Sequence, residues 1–308
     1  MPIRAYTPSD ATALITLLQR QNNNIITLES FTQTEAQHDS STALWRVLLE
    51  ENTVIVGCAE LSMRPSTPVG WRDLKIVVAK NAEGQGFGQR LLEEALAQAA
   101  KLRLIGFETS VRDNNHPSRR WLEKRGFEFD FHRFESELNL QEFQASQFTN
   151  AVTRAESQGI SFATRADFLN DSGLRGLHTL DNQLFLDTPD APGRTPLSFE
   201  RFQKLIAENP QVTPESIILA VSGNTFIGMT IMLREDKAFY TGMTGVTREH
   251  RGKGIALALK VLGIHYAIQQ GAVKMTTHNH SRNAPMIAVN QKLGYQQRSG
   301  LWVLKRQL

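Results

Sequence analysis

The feature that most restricts what this chain can fold into is a repeat within it. Two glycine-rich segments, Glu83-Gly-Gln-Gly-Phe-Gly88 and Arg251-Gly-Lys-Gly-Ile-Ala256, place Gly84 and Gly252 168 positions apart. The same offset pairs Gly126-Phe127 with Gly294-Tyr295, Val78 with Val246 and Leu91 with Leu259. It also pairs Asn115 with Asn283, Pro117 with Pro285 and Lys124 with Lys292. Matches sustained without a gap over about fifty residues mark a duplication. A length of 308 residues is that of two ordinary domains. The repeat predicts a domain over 1–143, a linker over 144–158 and a second domain over 159–308.

Each copy alternates strand and helix. In the first, Ile3–Tyr6 reads as a strand, with Ser9-Asp10 as a cap for the helix that follows. Trp45–Leu49 and Val54–Met63 read as a hairpin, and Leu74–Val78 as a strand entering the glycine-rich loop. Apolar residues at Leu91, Leu92, Ala95, Leu96 and Ala99 give Gln89–Lys101 a helical period. Gly106–Val111 reads as a strand, His116–Lys124 as a short helix and Phe127–Leu138 as a closing strand. The second copy repeats the order: strand Ile160–Thr164, helices Ser172–Leu184 and Phe199–Glu208, and a hairpin of Ile217–Val221 with Phe226–Arg234. Strand Ala238–Val246 then leads to the second glycine-rich loop and helix Ile255–Gln269. Between the copies, Phe143, Phe148 and Val152 amid polar residues predict a helical linker.

A loop with glycine at every second residue, entered from a strand and opening a helix, suits a phosphate. Glycine lets the backbone approach the anion, and the unpaired amides at the positive helix end bind it. A Walker loop requires Gly-Lys-Ser/Thr after four intervening residues, and neither copy has it. A dinucleotide fingerprint requires its third glycine one place later than Gly88, and the second copy has Ala256 where the first has Gly88.

With these residues in place, the chain resembles the GCN5-related N-acetyltransferases (GNAT). Their hallmark is Gln/Arg-x-x-Gly-x-Gly/Ala, and Arg251-Gly-Lys-Gly254-Ile-Ala256 fits it in full. Asn283 and Lys292-Leu-Gly294-Tyr295 resemble the later Asn and closing Lys-x-Gly-Phe/Tyr of that family. The first copy departs at Glu83, where a carboxylate would stand beside a pyrophosphate. The likeness covers nearly the whole chain as a tandem pair, a layout similar to that of mycothiol synthase. It implies an α/β (α+β) fold class: two GNAT (acyl-CoA N-acyltransferase) domains in tandem. Each would be a mixed, mostly antiparallel sheet flanked by helices.

The resemblance further implies that acetyl-CoA, as co-substrate, lies in a V-shaped opening between the fourth and fifth strands. Its pyrophosphate would rest on Arg251, Gly252, Lys253, Gly254, Ile255, Ala256 and Leu257. In the first copy the corresponding residues are Gly84, Gln85, Gly86, Phe87 and Gly88. The pantetheine arm would pair with backbone near Thr244 and Val246, or near Val78, and Asn283 and Asn115 would contact the arm or the adenine side. Arg251 and Lys253 would meet phosphate charge.

Acetyl transfer by direct attack of an amine on the thioester needs a neutral amine, an oxyanion donor and a proton for the leaving thiolate. The donor would be a strand amide, at Val246. Members that carry a Tyr as general acid have it four residues before the closing Gly, where this chain has Leu122 and Asn290. At the position of a Glu base the chain has Arg72 and Tyr240. Tyr240 and His278 are the catalytic candidates read here, with Asp73, Glu108 and Tyr295 as further ones. His278-x-His280 has strand spacing compatible with a metal, but no Cys or third His completes a pattern, so cleft or surface histidines and no metal are expected. Asp187 and Asp190, in the loop after the second copy's first helix, would suit a cationic amine or would equally serve a surface turn.

Composition narrows the class. Thirty-four Lys+Arg against 31 Asp+Glu leave a net charge of +3 without any basic run, so a small-molecule or peptide amine is expected as partner rather than nucleic acid. The single cysteine, Cys58, excludes a disulfide framework and reads as a core residue. No apolar run approaches the roughly 18 residues that span a bilayer. The start shows no charged-then-apolar leader, and a cytoplasmic location is expected. The reading is an acetyl-CoA-dependent N-acetyltransferase active in the second copy. The alternatives are two active copies, or a CoA-binding scaffold that has lost catalysis.

Overall fold

The computed structural model describes residues 2–21, 26–36, 44–63 and 67–308. The chain forms two compact units. The first comprises Met1–Val111, Asn115–Asp130 and Trp302–Leu308; the second comprises Arg112–Asn114 and Phe131–Leu301.

In the first unit, β1 (Ile3–Ala5) is followed by α1 (Ala11–Gln21), α2 (Leu28–Ala36), β2 (Trp45–Glu51), β3 (Val54–Ser62) and β4 (Trp71–Val78). Then come α3 (Phe87–Leu102), β5 (Gly106–Arg112), α4 (His116–Glu123) and the start of β6 (Glu128–Asn139). The hairpin between β2 and β3 turns on Asn52 and Thr53, both with positive φ (48° and 64°). The helical period read for α3 is the face it buries: Leu91, Leu92, Ala95 and Ala99 lie against the sheet, and Cys58 is buried in β3.

The second unit holds most of β6, then α5 (Asn150–Glu156), β7 (Ile160–Thr164), α6 (Asp171–Leu186), α7 (Phe199–Phe202), β8 (Ile217–Ser222) and β9 (Thr225–Glu235). After these come β10 (Ala238–Val246), α8 (Ile255–Gln269), β11 (Lys274–His280), α9 (Ala284–Lys292) and the start of β12 (Gln296–Gln307), whose residues from Trp302 onward belong to the first unit. The helix read over Phe199–Glu208 is α-helical for one turn only and continues as a wider π-turn over Gln203–Ala207. The segment read as a linker forms a 3-10 turn (Ala145–Phe148) and α5, and Phe148 and Ala155 are buried in the second unit's core with α8.

The pairs β1–β2, β2–β3 and β3–β4 in the first unit, and β7–β8, β8–β9, β9–β10 and β6–β11 in the second, are antiparallel, and each unit has one parallel pair. In the first unit β4 and β5 run parallel, in register at Trp71–Asp73 with Gly106–Glu108. In the second, β10 and β11 are parallel, in register at Ala238–Thr241 with Lys274–Thr277. The strand order is β1-β2-β3-β4-β5-β12 in the first unit and β6-β11-β10-β9-β8-β7 in the second. The last strand of the first copy thus pairs antiparallel with β11, from Arg133 opposite His280 to Asn139 opposite Lys274. Residues Trp302–Leu308, from the last strand of the second copy, belong to the first unit.

In the second unit α8 is apolar almost all round and packs on one face of the sheet with α5 and Phe239, Val246 and Met275. The opposite face carries α6 and α7 over Leu219, Met229 and Ile231.

Candidate active site

The site is a fork. Beyond Thr241 and Thr277, β10 and β11 leave register, so the β10 edge from Gly242 to Val246 has a strand partner only in β9. A bulge against β9 falls between Thr241 and Met243, where the fork opens. Thr244 and Val246 lie along this edge, opposite Thr230 and Gly228. The Thr244 hydroxyl shares a hydrogen bond of 2.8 Å with that of Thr230.

The glycine-rich turn closes the wide end. Gly252 and Gly254 have φ of 78° and 79°, in the left-handed region that L side chains avoid. A Cβ built on either would meet nothing within 4 Å, so the space in front of the turn is open to a ligand. Gly254 caps α8 without a side-chain hydrogen bond, and no acid lies in the first turn. The amides of Ile255, Ala256 and Leu257 therefore have no acceptor within the helix and face the positive end of its dipole. The first unit repeats this: Gly84 and Gly86 at 79° and 82°, open space before both, and α3 starting at Phe87 with Gly86 as its cap. Gln85 there donates to the Asn81 carbonyl at 3.4 Å, and Gly88 packs against the ring of Trp121.

Arginines beside the second turn are engaged within the chain, and the equivalent residues Asn115 and Asn283 are used differently. Arg251 donates from Nε to the Val246 carbonyl (3.0 Å) and from Nη2 to Asp187 (2.6 Å), and Arg248 meets the same carboxylate. These contacts brace the turn against the end of α6. The two guanidiniums, Arg248 foremost, hold the Asp187 carboxyl below its ordinary range. The turn's other cation, Lys253, is exposed, and its carbonyl accepts from Gln158 at 3.3 Å. Asn115 spends its side chain on capping α4, accepting from the Ser118 amide at 3.1 Å. Asn283, at the same place before α9, makes no such cap.

The catalytic candidates of the second copy are brought together. Tyr240 Oη lies 3.3 Å from His278 Nδ1, with ring centres 5.5 Å apart. Tyr240 stands opposite Leu233, on the α6 face of the sheet, and burial raises its pKa. His278, one residue past the last pair with β10, is exposed. His280 is buried instead, stacked on Phe131 at 3.8 Å between ring centres. The aspartates of the loop after α6 are already engaged, Asp187 by two arginines and Asp190 by Arg133 at 2.7 Å. Of the other candidates, Asp73 accepts from Thr67, Glu108 is buried with Lys305 3.8 Å away, and Tyr295 is buried beneath the fork.

Sequence reasoning missed a buried polar group in the second unit. Asn290 Nδ2 donates to Asn279 Oδ1, and Asn279 Nδ2 to Ser136 Oγ, both at 2.7 Å. Lys260 is 4% exposed. The signal was available in the repeat, because the residues 168 positions earlier than Asn279, Asn290 and Lys260 are Val111, Leu122 and Leu92.

A forked α/β sheet with an uncapped, glycine-initiated helix at its mouth defines the class of fold: two parted parallel strands beside unpaired helix amides. The Acetyltransferase (GNAT) family matches this sequence twice, over residues 12–127 and 181–295, and the chain belongs to that family, whose members are acyl-CoA-dependent N-acetyltransferases. Among solved structures it is similar to a GCN5-related N-acetyltransferase from Sphaerobacter thermophilus, with TM-score 0.72 and 20% identity over 99% of this chain and 95% of that one. It is also similar to a tandem GNAT protein from the clavulanic acid biosynthesis pathway (TM-score 0.68, 17% identity, 99% and 98% covered). A fungal glucosamine N-acetyltransferase region gives TM-score 0.73 at 14% identity, over 99% of this chain and 38% of that one. No curated protein matches at a significant level. These likenesses establish two GNAT folds in tandem. No helix among the described residues is long and apolar enough to cross a membrane.

Proposed function

We propose that the second copy binds acetyl-CoA and transfers its acetyl group to a primary amine of a small molecule or peptide. The observation that carries this is the open turn at Gly252 and Gly254, with uncapped amides and an acid-free first helical turn. The pyrophosphate would lie on Gly252–Leu257, with Arg251 bracing the turn and Lys253 adding charge. The pantetheine arm would pair with the free edge at Thr244 and Val246, and the Val246 amide would face the developing oxyanion. Asn283, unspent on capping, is available to the arm, whereas Asn115 is not. His278, with Tyr240 beside it, would take the proton shed by the attacking amine on the α6 face of the fork. In the first copy, Glu83 beside the turn and the engaged Asn115 argue for weaker binding or none at Val78 and Gly84–Gly88.

One observation favours the second reading, in which both copies bind: the two glycine turns have the same dihedrals and the same open space. Counting acetyl-CoA per chain by native mass spectrometry separates the readings, with Gly86→Trp and Gly254→Trp blocking one turn each. One equivalent lost only with Gly254→Trp is expected. Two equivalents would assign a ligand to each copy, and none in folded protein would refute the acetyl-CoA reading.

A further inference from the structure

The repeat lets each buried position be compared with its counterpart. In the first unit Leu92, Leu122, Phe127 and Leu304 share one apolar cluster, with Val111 packed on it. The residues 168 positions away from these are Lys260, Asn290, Tyr295, Ser136 and Asn279, all polar and all at most 5% exposed. Burying polar groups costs free energy, and the first unit closes the same fold without them. Buried polar groups are kept where they have a partner, in the protein or in what it binds.

In the second unit this set borders a cavity of about 340 Å³ between β6, α9 and the start of β12. That is the small end of the range for ligand pockets. Its floor is buried: Ser136 on β6, Asn290 on α9, and Tyr295, whose ring centre lies 4.9 Å from Lys260 Nζ. Two hydrogen-bonding functions there are unspent. Asn290 Nδ2 donates to Asn279 and Asn279 Nδ2 to Ser136 Oγ, which leaves Asn290 Oδ1 without a partner and the Ser136 hydroxyl with its own proton to give. The amides of Gln291, Gln296 and Gln297 stand exposed at the rim, and Phe134 and Ile287 supply apolar wall. Among the described residues no charged side chain lines the cavity. No residue of β10, β11 or the glycine turn lines it either, so it is separate from the fork.

We propose that this cavity is a second ligand site, taking a neutral polyhydroxylated molecule up to the size of a monosaccharide. A hydroxyl group both donates and accepts, which matches a floor that offers one function of each kind and a rim of amides that do both. An ionic ligand would find no partner for its lost hydration among uncharged groups. The C–H faces of a ring would lie on Phe134, Tyr295 and Ile287. One or two waters, at about 30 Å³ each, would satisfy the floor but leave most of the volume and the amide rim unused. The first unit has no such site, because Leu122 and Leu304 are packed in its apolar cluster.

The test titrates glycerol, myo-inositol and glucose separately into the full chain and follows the side-chain amide resonances of Asn290, Gln291, Gln296 and Gln297. At least one of the three should shift these resonances to saturation, and Asn290→Leu should weaken that binding about tenfold through the lost acceptor. Leucine is the residue the first unit carries there. Gln297→Ala, on the exposed rim, leaves the core whole and should also weaken binding, so the assignment stays testable if Asn290→Leu does not fold. Gly254→Trp, which blocks the turn at the fork, should leave polyol binding unchanged, so the site is tested apart from the acetyl-CoA reading. No shift with any of the three in folded protein would overturn the inference and leave the cavity to water. Binding that survives both Asn290→Leu and Gln297→Ala unchanged, or that is lost with Gly254→Trp, would place the polyol elsewhere and overturn it as well.

Discussion

Replacing Gly254 with alanine tests whether the turn before α8 binds an anion or merely changes chain direction. At φ 79° an L residue costs about 1–2 kcal/mol, and no steric clash is added because the new Cβ meets nothing within 4 Å. Gly86, at φ 82° and equally open, should cost the same. Each substitution should therefore lower the melting temperature of its unit alike, by about 2–4 °C per kcal/mol for domains near this size. Binding should separate them. A turn relaxed away from the left-handed region rotates the Ile255–Leu257 amides out of line. Losing one hydrogen bond to a charged phosphate costs about 1.5–3 kcal/mol, or roughly 10- to 150-fold in Kd. Calorimetry of acetyl-CoA binding and of unfolding on both variants gives the four numbers needed. A Gly254→Ala protein that loses stability but keeps its Kd would refute the argument, as would Gly86→Ala weakening binding equally.

Two further predictions follow from residues that the copies use differently. Asn115→Ala should destabilise the first unit by about 1 kcal/mol through its lost cap on Ser118, whereas Asn283→Ala should leave stability nearly unchanged and weaken acetyl-CoA binding. Denaturant midpoints and binding isotherms of the two variants check this. The Lys260 amine, lowered by burial from 10.5 to about 7, binds its proton more weakly folded than unfolded. Stability should thus rise with pH between about 7 and 10.5, where the unfolded chain holds the extra proton. Lys260→Leu should flatten that rise, measured by urea unfolding across the same range. An unchanged slope would place the amine in water rather than in the core.

Much of the site could be read from single stretches of sequence. Glycine at every second residue after a strand predicted the left-handed turn, and α3 buries the residues its apolar period marks, because both depend on neighbours within a few positions. The pairing of Tyr240 with His278 needed more. The residues belong to different strands, 38 positions apart, and only parallel register with Thr276 and Thr277 sets them side by side. The engagement of Arg251 by Asp187 was equally hidden, since the carboxylate arrives on the end of α6, 64 positions earlier. The polar set around Tyr295 was visible as letters in the repeat but not as a cluster, because a helix position becomes buried only through what packs against it.

The amino-acid sequence by itself determined that there are two copies of one α/β unit, each with a strand, a glycine turn and an open helix end. It also determined that the second turn lacks the carboxylate found at Glu83 in the first. Only the tertiary structure decided where the closing strands go, with β6 pairing to β11 and residues Trp302–Leu308 joining the first unit. A strand's alternation marks which residues face inward but leaves its pairing partner open, and that choice is made by edges far away in the chain. The depth of the fork and the burial of Lys260 and Tyr295 at its base were decided in the same way, by packing between elements that local pattern does not connect.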